Sequence, residues 1–587
     1  MLAKKNVTIR SASGYVDEAN EKGATIRGLY HDAANGITNG ENSVGGLYVY
    51  ANAKADGCVL GGLIFEDCAT PERIEDVDSK GKATYTYFPG AALCSSRAMT
   101  VTNCVFRNCR STGDGGAIEA TASGNVFRNC VITNNWAGEM ESSWSCAGGG
   151  VHCKGSFYDS LIGWNHAPRY GGGISGGTII SNCVIVCNEV PVSSDQSSWQ
   201  LGGGFYSSSS ASLMDCIVSS NAAFHSGGGV YFYGSLVRCV VADNRITGKG
   251  NGVGVYGDYD ATHAANVRLC TIVGNRSTCG GSGGGVYNAV VTDSVVSNNY
   301  IFGGSSSQEG LCGGGGLCAC VVSNCQIVAN KAGRHGGGAL SCQLVKCLVS
   351  SNSVEGGTTY SGAGVAASGR VGLWKDHPCR VHVNIENCII SNNIATAKNA
   401  YAVGVYVDNN FRAASGSRLS GPAATNVVIV NTLIACNGCG SNTDGQTGVY
   451  VGYNEGEGVS LPTLINCTIT GGIGGACAIN RGKLINTIVW GNNKDDKNTI
   501  VAATNSCAAI LTDAEKYPDC ISTDPRLDAR YAPHSRACKN KALPFDWMTD
   551  PNDVRSKDVY GAARVQGKGP DIGAVEQPDF GLMMLVR

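Results

Sequence analysis

A short hydrophobic pattern recurs along most of the chain and ends each time in a polar residue, usually Asn. It has the form x-Cys-x-(Ile/Val/Phe)-x-x-Asn, as in NCVIVCN (182–188) and NCQIVAN (324–330). A second element, a glycine run followed by one hydrophobe, alternates with it, as in GGGI (171–174) and GGGF (202–205). Short β-branched segments bounded by Gly and Asn are typical of strands that are joined by tight turns. Their recurrence predicts one long repeat architecture instead of several globular domains.

The repeats align in two polar columns. The first ends the pattern and comprises Asn135, Asn165, Asn188, Asn221, Asn244, Asn275, Asn299, Asn330, Asn352, Asn393, Asn437 and Asn492, with Cys68, Cys109 and Gly472 in the remaining copies. The second lies two places before the hydrophobe and comprises Cys104, Cys130, Cys183, Cys216, Cys239, Cys270, Cys325, Cys347, Cys388 and Cys467, with Ser160, Ser294, Thr432 and Thr487 as small polar substitutes.

These columns predict an all-β fold, a single-stranded parallel β-helix of about fifteen coils with a C-terminal cap. Strands of successive coils lie about 4.8 Å apart, so each side chain stacks on its equivalent in the next coil. An Asn at a turn can donate and accept along such a stack and satisfy backbone groups that are buried there. Glycine runs suit the tight bends between strands.

The 29 cysteines do not have the spacing of a disulfide framework. In stacked coils the column cysteines are predicted to point inward as small buried hydrophobes, and their separation is wider than the roughly 3.8 Å that a disulfide prefers between Cβ atoms. Pairing stays open for a few cysteines outside the column, namely Cys312, Cys318, Cys320 and Cys342. Cys318 and Cys320 lack the second cysteine pair of a zinc site, so no metal or cofactor is indicated.

Long and short coils alternate between Asn135 and Asn352, with intervals of 30–33 and 22–24 residues. Three of the extra segments are alike: EMESSWSCAGGG (139–150), SSDQSSWQLGGG (193–204) and GGSSSQEGLCGGG (303–315). Because two coils separate successive long ones, these loops are expected on one face, about 10 Å apart. The spacing therefore predicts one decorated face.

Charge and hydropathy narrow the function. Charged residues make up 15% of the 587, and the net charge is −2, so neither nucleic acid nor an anionic membrane surface is indicated as a partner. No run of about eighteen apolar residues is present that could span a bilayer as a helix. The first residues, MLAKKNVTIRSASG, contain no apolar signal-peptide core. We expect the sequence to be the mature part of a longer precursor.

The repeat stops after about residue 505. We predict a parallel β-helix over 1–508 and a capping segment over 509–587, in which 524–576 is rich in Asp, Pro, Lys and Arg. A solenoid needs such a cap to hide the open strand edges of its last coil.

The combination of GGA(I/V), as in GGAI (115–118), with hydrophobe-x-x-Asn resembles the repeats of polymorphic outer-membrane proteins and related bacterial right-handed parallel β-helix proteins. At the repeat hydrophobe, where that family has Phe, this chain mostly has Ile or Val, and Phe occurs there as Phe65 and Phe106. The ending, DPRL (524–527), YAPHSRAC (531–538) and DIGAVE (571–576), is similar to the tail of large surface-anchored β-helix proteins. The resemblance implies a right-handed helix and a secreted, cell-surface or outer-membrane location. The residues after Glu576 are too few to span a membrane.

Parallel β-helices also include pectinases and polysaccharide lyases, so an enzyme is the main alternative. Asp159, Asp215 and Asp293 share the column before the Cys, but Asn182, Arg238, Leu269 and Asn324 alternate with them, so no two are adjacent. Asp215 and Arg238 are expected to form a surface ion pair. We find no acidic cluster that recurs at coil spacing, as a calcium-dependent lyase would need, and the motif set of polygalacturonases is absent. No catalytic residue is therefore predicted.

Five aromatic or imidazole side chains are the binding candidates. Trp144 and Trp199 lie on related long-coil loops, where an indole either offers a rigid platform for a sugar or a protein or folds over its own loop. His225 and His335 lie before Gly runs on short coils, with Tyr170 at the equivalent place, and are either a ligand patch or solvated loop residues.

We therefore expect a non-enzymatic extracellular or bacterial cell-surface protein: an adhesin, a carbohydrate-binding stalk or a structural scaffold. Its partners would be carbohydrate or another surface protein. The alternatives are a polysaccharide lyase or glycoside hydrolase of the pectin-lyase-like fold, and a self-associating fibre or surface-layer subunit, since an uncapped first coil offers strand edges.

Overall fold

A computed structural model describes residues 58–70, 87–138, 146–192, 199–257, 265–303, 313–355, 362–368, 382–396, 402–408, 426–440, 445–451 and 461–578, together with short strands before residue 87. Two compact units, Met1–Cys279 and Gly280–Arg587, make up the chain. Both are built from parallel strands stacked coil on coil, so the predicted all-β, parallel β-helix fold is confirmed. No helix among the described residues is long and apolar enough to cross a membrane.

Each regular coil contains up to four strands. The a-strand follows the glycine run, the b-strand precedes the turn before the Cys, the c-strand carries the repeat hydrophobe, and a short d-strand follows the ladder Asn. In the first unit the a-strands are Leu47–Val49, Leu93–Ser95, Ile118–Ala120, Val151–Cys153, Ile174–Gly176 and Val255–Gly257, and the b-strands are Thr8–Arg10, Cys58–Gly61, Met99–Thr102, Val126–Arg128, Ser156–Tyr158, Ile179–Ser181 and Asn266–Arg268. In two coils the a- and b-strands are continuous, as Phe205–Met214 and Val230–Val237.

The remaining strands of the first unit form its other faces. The c-strands are Ala24–Arg27, Leu63–Glu66, Val105–Arg107, Val131–Thr133, Leu161–Gly163, Val184–Val186, Ile217–Ser219, Val240–Ala242 and Thr271–Val273, and the d-strands are Arg110–Ser111, Trp136–Ala137, Glu189–Val190, Ala222–Ala223, Arg245–Ile246 and Arg276–Ser277. Two antiparallel pairs, His31–Ala33 with Gly36–Thr38 and Ile74–Val77 with Ala83–Thr86, lie outside the coils.

The second unit repeats this plan. Its a-strands are Val286–Tyr287, Leu317–Cys318, Ala339–Leu340, Val365–Ser368, Val405–Asp408, Gln446–Val451 and Cys477–Asn480, and its b-strands are Val290–Thr292, Val321–Ser323, Gln343–Val345, His382–Glu386, Asn426–Val430, Thr463–Ile465, Lys483–Ile485 and Ala502–Thr504. Its c-strands are Val295–Ser297, Gln326–Val328, Leu348–Ser350, Ile389–Ser391, Leu433–Ala435, Thr468–Thr470, Ile488–Val489 and Cys507–Ala508, and its d-strands are Tyr300–Ile301, Lys331–Ala332, Ser353–Val354 and Ile394–Ala395. The described 3₁₀ turns are Asp495–Lys497, Asp546–Met548 and Val554–Ser556.

The Asn column forms the predicted ladder. Asn188 shows the pattern: its backbone N–H and its Nδ2 both donate to Oδ1 of Asn221, at 2.9 and 3.0 Å, and Nδ2 also donates to the carbonyl of Ile162 at 3.0 Å. The same bonds connect Asn135 through Asn275 in the first unit and Asn299 through Asn437 in the second. The ladder therefore satisfies buried turn groups in every coil that it crosses.

The column cysteines face the core, as predicted. Cys183, Cys216 and Cys239 are buried free thiols. The Cys216 thiol donates to the carbonyl of Met214 at 3.1 Å, and the backbone N–H of Cys216 donates to the sulfur of Cys239 at 3.4 Å. The thiols thus act as small core groups that also carry weak hydrogen bonds between coils.

Among the cysteines outside the column, Cys318, Cys320 and Cys342 are buried, and Cys320 N–H donates to the Cys342 sulfur at 3.4 Å. Cys312 lies outside the described residues.

The segment after Ala508 lies along the flank of the second unit as well as at its last coil. Cys538 and Ile572 pack with Cys507 and Ile488 near the end of the repeat. Further back, Asn387 Nδ2 donates to the carbonyl of Lys557 at 2.8 Å. We predicted that this segment covers the strand edges of the last coil. It also contacts coils that lie earlier in the chain, because Asn side chains in the turn before the c-strand donate hydrogen bonds to it.

Candidate functional site

One outward-facing column runs along the first unit immediately after the glycine run. In each a-strand the residue after the glycines is buried and the next one points to the opposite face of the strand, as period-two alternation requires. The register aligns these outward residues, called here the outer row: Cys94, Glu119, His152, Ser175, Tyr206, Tyr231 and Tyr256.

A second column, called the rim row, precedes the glycine run and contains Ala147, Tyr170, Leu201 and Ser226. The backbone turns sharply between the two rows at the first glycine. Gly171, for example, has a φ of +60°, and a Cβ there would meet the backbone of Ile174 and Ser175. This turn brings rim-row side chains back over the outer row.

Tyrosines of both rows stack into one continuous aromatic stretch. The ring of Tyr170 lies 4.6 Å from that of Tyr206, which lies 5.4 Å from Tyr231, which lies 4.4 Å from Tyr256. The guanidinium of Arg169 lies over the Tyr170 ring at 4.9 Å. All four rings are partly exposed, so this stretch presents aromatic surface along three coil steps.

Trp199 lies two residues before the rim-row residue Leu201, which pairs with Tyr170. It is 63% exposed, more than any other described aromatic side chain. Its indole tilts against the imidazole of His225 at 5.8 Å, and that imidazole receives the Gln200 backbone N–H at Nδ1, at 3.1 Å. Burial lowers the pKa of His225, which favours the neutral ring. The indole of Trp199 therefore contacts a residue of the following coil.

A cluster of two carboxylates and one imidazole lies at the other end of the outer row. Glu119 and His152 are neighbours in adjacent a-strands, with Glu119 Oε2 2.9 Å from His152 Nδ1. Asp114, directly before a glycine run, places Oδ2 3.7 Å from the same Nδ1. All three ligand atoms lie within 4.8 Å of one another.

The three groups perturb each other. Burial raises the pKa of both carboxyls, and His152 opposes that rise. Burial lowers the pKa of His152, but the hydrogen bond to Glu119 and the charges of Glu119 and Asp114 outweigh it, so the net shift is upward. The imidazole is thus stabilised in its charged form by the two carboxylates.

The predicted candidates separate into three groups. Tyr170, Trp199 and His225 lie in three consecutive coils, and Trp199 contacts His225. His335 belongs to the second unit, where its half-buried ring lies 6.2 Å from that of Tyr406, and burial lowers its pKa to about 3. Trp144 and most of the three similar loop segments lie outside the described residues.

The acidic column before the Cys has the arrangement that the sequence predicted. Arg238 forms a bidentate pair with Asp215 at 2.7 and 2.8 Å, which confirms the expected ion pair. Asn182 donates to Asp159 at 2.8 Å and Asn324 donates to Asp293 at 2.7 Å. None of these aspartates lies beside another carboxylate of the column.

The sequence interpretation found no acidic cluster and no metal site, and it missed Asp114, Glu119 and His152. The repeats were aligned on the ladder Asn, which sets the register of the c-strands. Alignment on the glycine run instead places Glu119 beside His152 and Asp114 just before the bend. The signal was therefore present in the pattern GDGGAIEA (113–120), but it belonged to the other element of the repeat.

Comparison with known proteins supports the class. Residues 89–266 match a family described as the right-handed beta helix region, so the chain contains a right-handed parallel β-helix. Among solved structures, the crystal structure of pectate lyase Pel9A is similar, with 11% identity over 83% of this chain and 88% of that one and a TM-score of 0.24. At that TM-score the likeness carries no argument about activity. No curated protein matches the sequence.

Proposed function

We propose that this protein is a non-enzymatic, extracellular or bacterial cell-surface β-helix protein that binds polysaccharide along the aromatic stretch of Tyr170, Tyr206, Tyr231 and Tyr256. The exposed indole of Trp199, held against His225 beside that stretch, carries the proposal. The location rests on the resemblance of the C-terminal tail to those of surface-anchored β-helix proteins.

The chemistry of the surface favours a sugar chain. Indole and phenol rings are rigid and amphipathic, so they cover the apolar face of a sugar at a small cost in conformational entropy. The half-buried imidazole of His225, which lies against Trp199, is a polar group that can bond to hydroxyls. Three coil steps of about 4.8 Å each give a linear surface, which fits an extended polymer better than a single small ligand.

A polysaccharide-degrading enzyme is the second candidate, and the nearby carboxylates of Asp114 and Glu119 favour it. Retaining glycosidases hold two carboxyl groups about 5–5.5 Å apart with the sugar between them. Here the imidazole of His152 lies against both carboxylates, at 2.9 and 3.7 Å, whereas hydrolysis requires the sugar between them. The geometry therefore favours binding over hydrolysis.

A polysaccharide-binding screen with the full chain tests the proposal. For the best polymer found, Trp199→Ala is expected to weaken binding at least tenfold in calorimetric titration, as loss of a central aromatic anchor does. Trp164→Ala is the matched control, because Trp164 is also exposed, at 49%, but follows a c-strand on another face. Equal losses in both variants would refute the assigned surface. Release of reducing ends that stops in Glu119→Gln would replace binding with hydrolysis.

A further inference from the structure

We propose that Asp114, Glu119 and His152 form a binding site for one divalent transition-metal ion, of which Zn²⁺ fits best. This site is separate from the aromatic stretch and does not depend on polysaccharide binding.

The distances between the ligand atoms match those around a small metal ion. Zinc binds imidazole nitrogen and carboxylate oxygen at about 2.0–2.2 Å, which sets neighbouring ligands of a tetrahedron about 3.3 Å apart. The observed separations from His152 Nδ1 are 2.9 Å to Glu119 and 3.7 Å to Asp114, on either side of that value. Shifts of a few tenths of an ångström would bring both into range.

Among the described residues, one carboxylate oxygen of Glu119 and one of Asp114 accept no hydrogen bond and are available to a cation. The Glu119 side chain is nine-tenths buried, yet within the described part of the chain only its Oε2 has a hydrogen-bond partner. Asp114 uses Oδ1 to accept the Ala147 backbone N–H at 2.7 Å, which leaves Oδ2 directed at His152 without a hydrogen bond. A proton on Nδ1 can serve one carboxylate well, whereas a metal ion at the common point serves both.

The backbone holds the ligands in place before any ion binds. Glu119 and His152 sit opposite each other in paired a-strands, and the bond from Ala147 fixes Asp114. Such preorganisation lowers the cost of binding.

The donor set selects the metal. Calcium and magnesium take oxygen ligands and rarely imidazole, whereas one His and two carboxylates suit zinc and leave a fourth position open.

Zinc titration of the reduced full-length protein, by calorimetry and by X-ray absorption, tests this site. We expect one site per chain with nitrogen and oxygen neighbours, and at least tenfold weaker binding in both His152→Ala and Glu119→Gln. His166→Ala is the matched control, since His166 Nδ1 lies 3.8 Å from a single carboxylate, that of Glu189. This variant should bind zinc as tightly as the unchanged protein.

X-ray absorption of the unchanged protein identifies the atoms bound to zinc, so the test does not depend on whether each variant folds. Cysteine thiolates would give zinc–sulfur distances of about 2.3 Å, whereas imidazole gives zinc–nitrogen distances of about 2.0–2.1 Å. A shell of sulfur only, unchanged binding in both variants, or preference for Ca²⁺ over Zn²⁺ would overturn the proposal.

Discussion

The inward Asn ladder and the outer row of the first unit lie on the same coils and differ in how strictly they repeat. Every ladder position from Asn135 to Asn275 is a buried Asn whose Nδ2 donates to a backbone carbonyl of an earlier coil. The outer row changes from Glu119 through His152 to tyrosine over the same coils. Stacking demands identity where each side chain bonds to its equivalent in the next coil, as Asn188 does to Asn221, and permits variation where no such series of bonds runs. The constant column thus defines the fold and the variable one can carry chemistry.

The same outward position in the second unit sharpens this contrast. There Tyr287, Cys318, Leu340, Ala366 and Tyr406 follow one another, and each is buried. The column continues to Tyr450 and Asn480, which are half-buried. The tyrosines Tyr206, Tyr231 and Tyr256 of the first unit are all partly exposed, and this difference favours the first unit as the proposed binding surface.

The largest effect is expected at a glycine whose surroundings leave no room for a side chain. A Cβ at Gly203 would lie against the carbonyl oxygens of Gly228 and Ala222, both backbone. Gly203→Ala should therefore abolish folding or lower the free energy of unfolding by more than about 4 kcal/mol, measured by urea denaturation. Gly569→Ala is the control, because its nearest atom, the Asn540 carbonyl oxygen, is 3.8 Å away. Equal stability of the two variants would contradict the close-packed bend.

Breaking the ladder at one residue should come next. Asn221→Ala removes the acceptor of two bonds from Asn188 and the donor to the carbonyl of Ile185. Unsatisfied buried groups cost about 1–3 kcal/mol each, so we expect a loss of about 3–5 kcal/mol in unfolding free energy. A loss below about 1 kcal/mol would show that the ladder is not what holds the coils together.

His335 in the second unit should make the stability of the protein depend on pH. Burial lowers its pKa to about 3, against an ordinary value of about 6.5, so only the unfolded chain binds this proton between those values. Its stabilising contribution is present above about pH 6.5 and falls as the pH drops toward 3. Replacement in His335→Phe should remove about 1–3 kcal/mol of that acid-induced loss, measured by urea denaturation at pH 7 and pH 4.5. An unchanged slope would contradict the burial of this ring.

The smallest effect belongs to the exposed ion pair. Arg238 and Asp215 are about half exposed despite their bidentate geometry, and the hydrogen bond from Arg238 lowers the pKa of Asp215. Solvent screens such surface pairs, so Arg238→Gln should change the unfolding free energy much less than Asn221→Ala, measured by urea denaturation. A change as large as that of Asn221→Ala would remove the distinction between buried and exposed columns.

The fold could be predicted because each coil places the same residue type in the same buried position. Asn188 and Cys183 recur where they are buried, and the pairing of Arg238 with Asp215 followed from the same register. The Asp114, Glu119 and His152 cluster could not be read in that way, because its members come from different positions relative to the glycine bend. The contact of Trp199 with His225 joins two successive coils. Trp199 follows a loop whose length differs from coil to coil, so the repeat spacing does not predict this contact.

The most direct test of the central claim is hydroxyl-radical footprinting with a bound polysaccharide. Because ligand contact shields a side chain from the radical, we predict protection of Trp199 and Tyr170 and no change at Trp164. Protection of Trp164, or none at Trp199 while the polymer is bound, would contradict the assignment of the aromatic stretch as the binding surface.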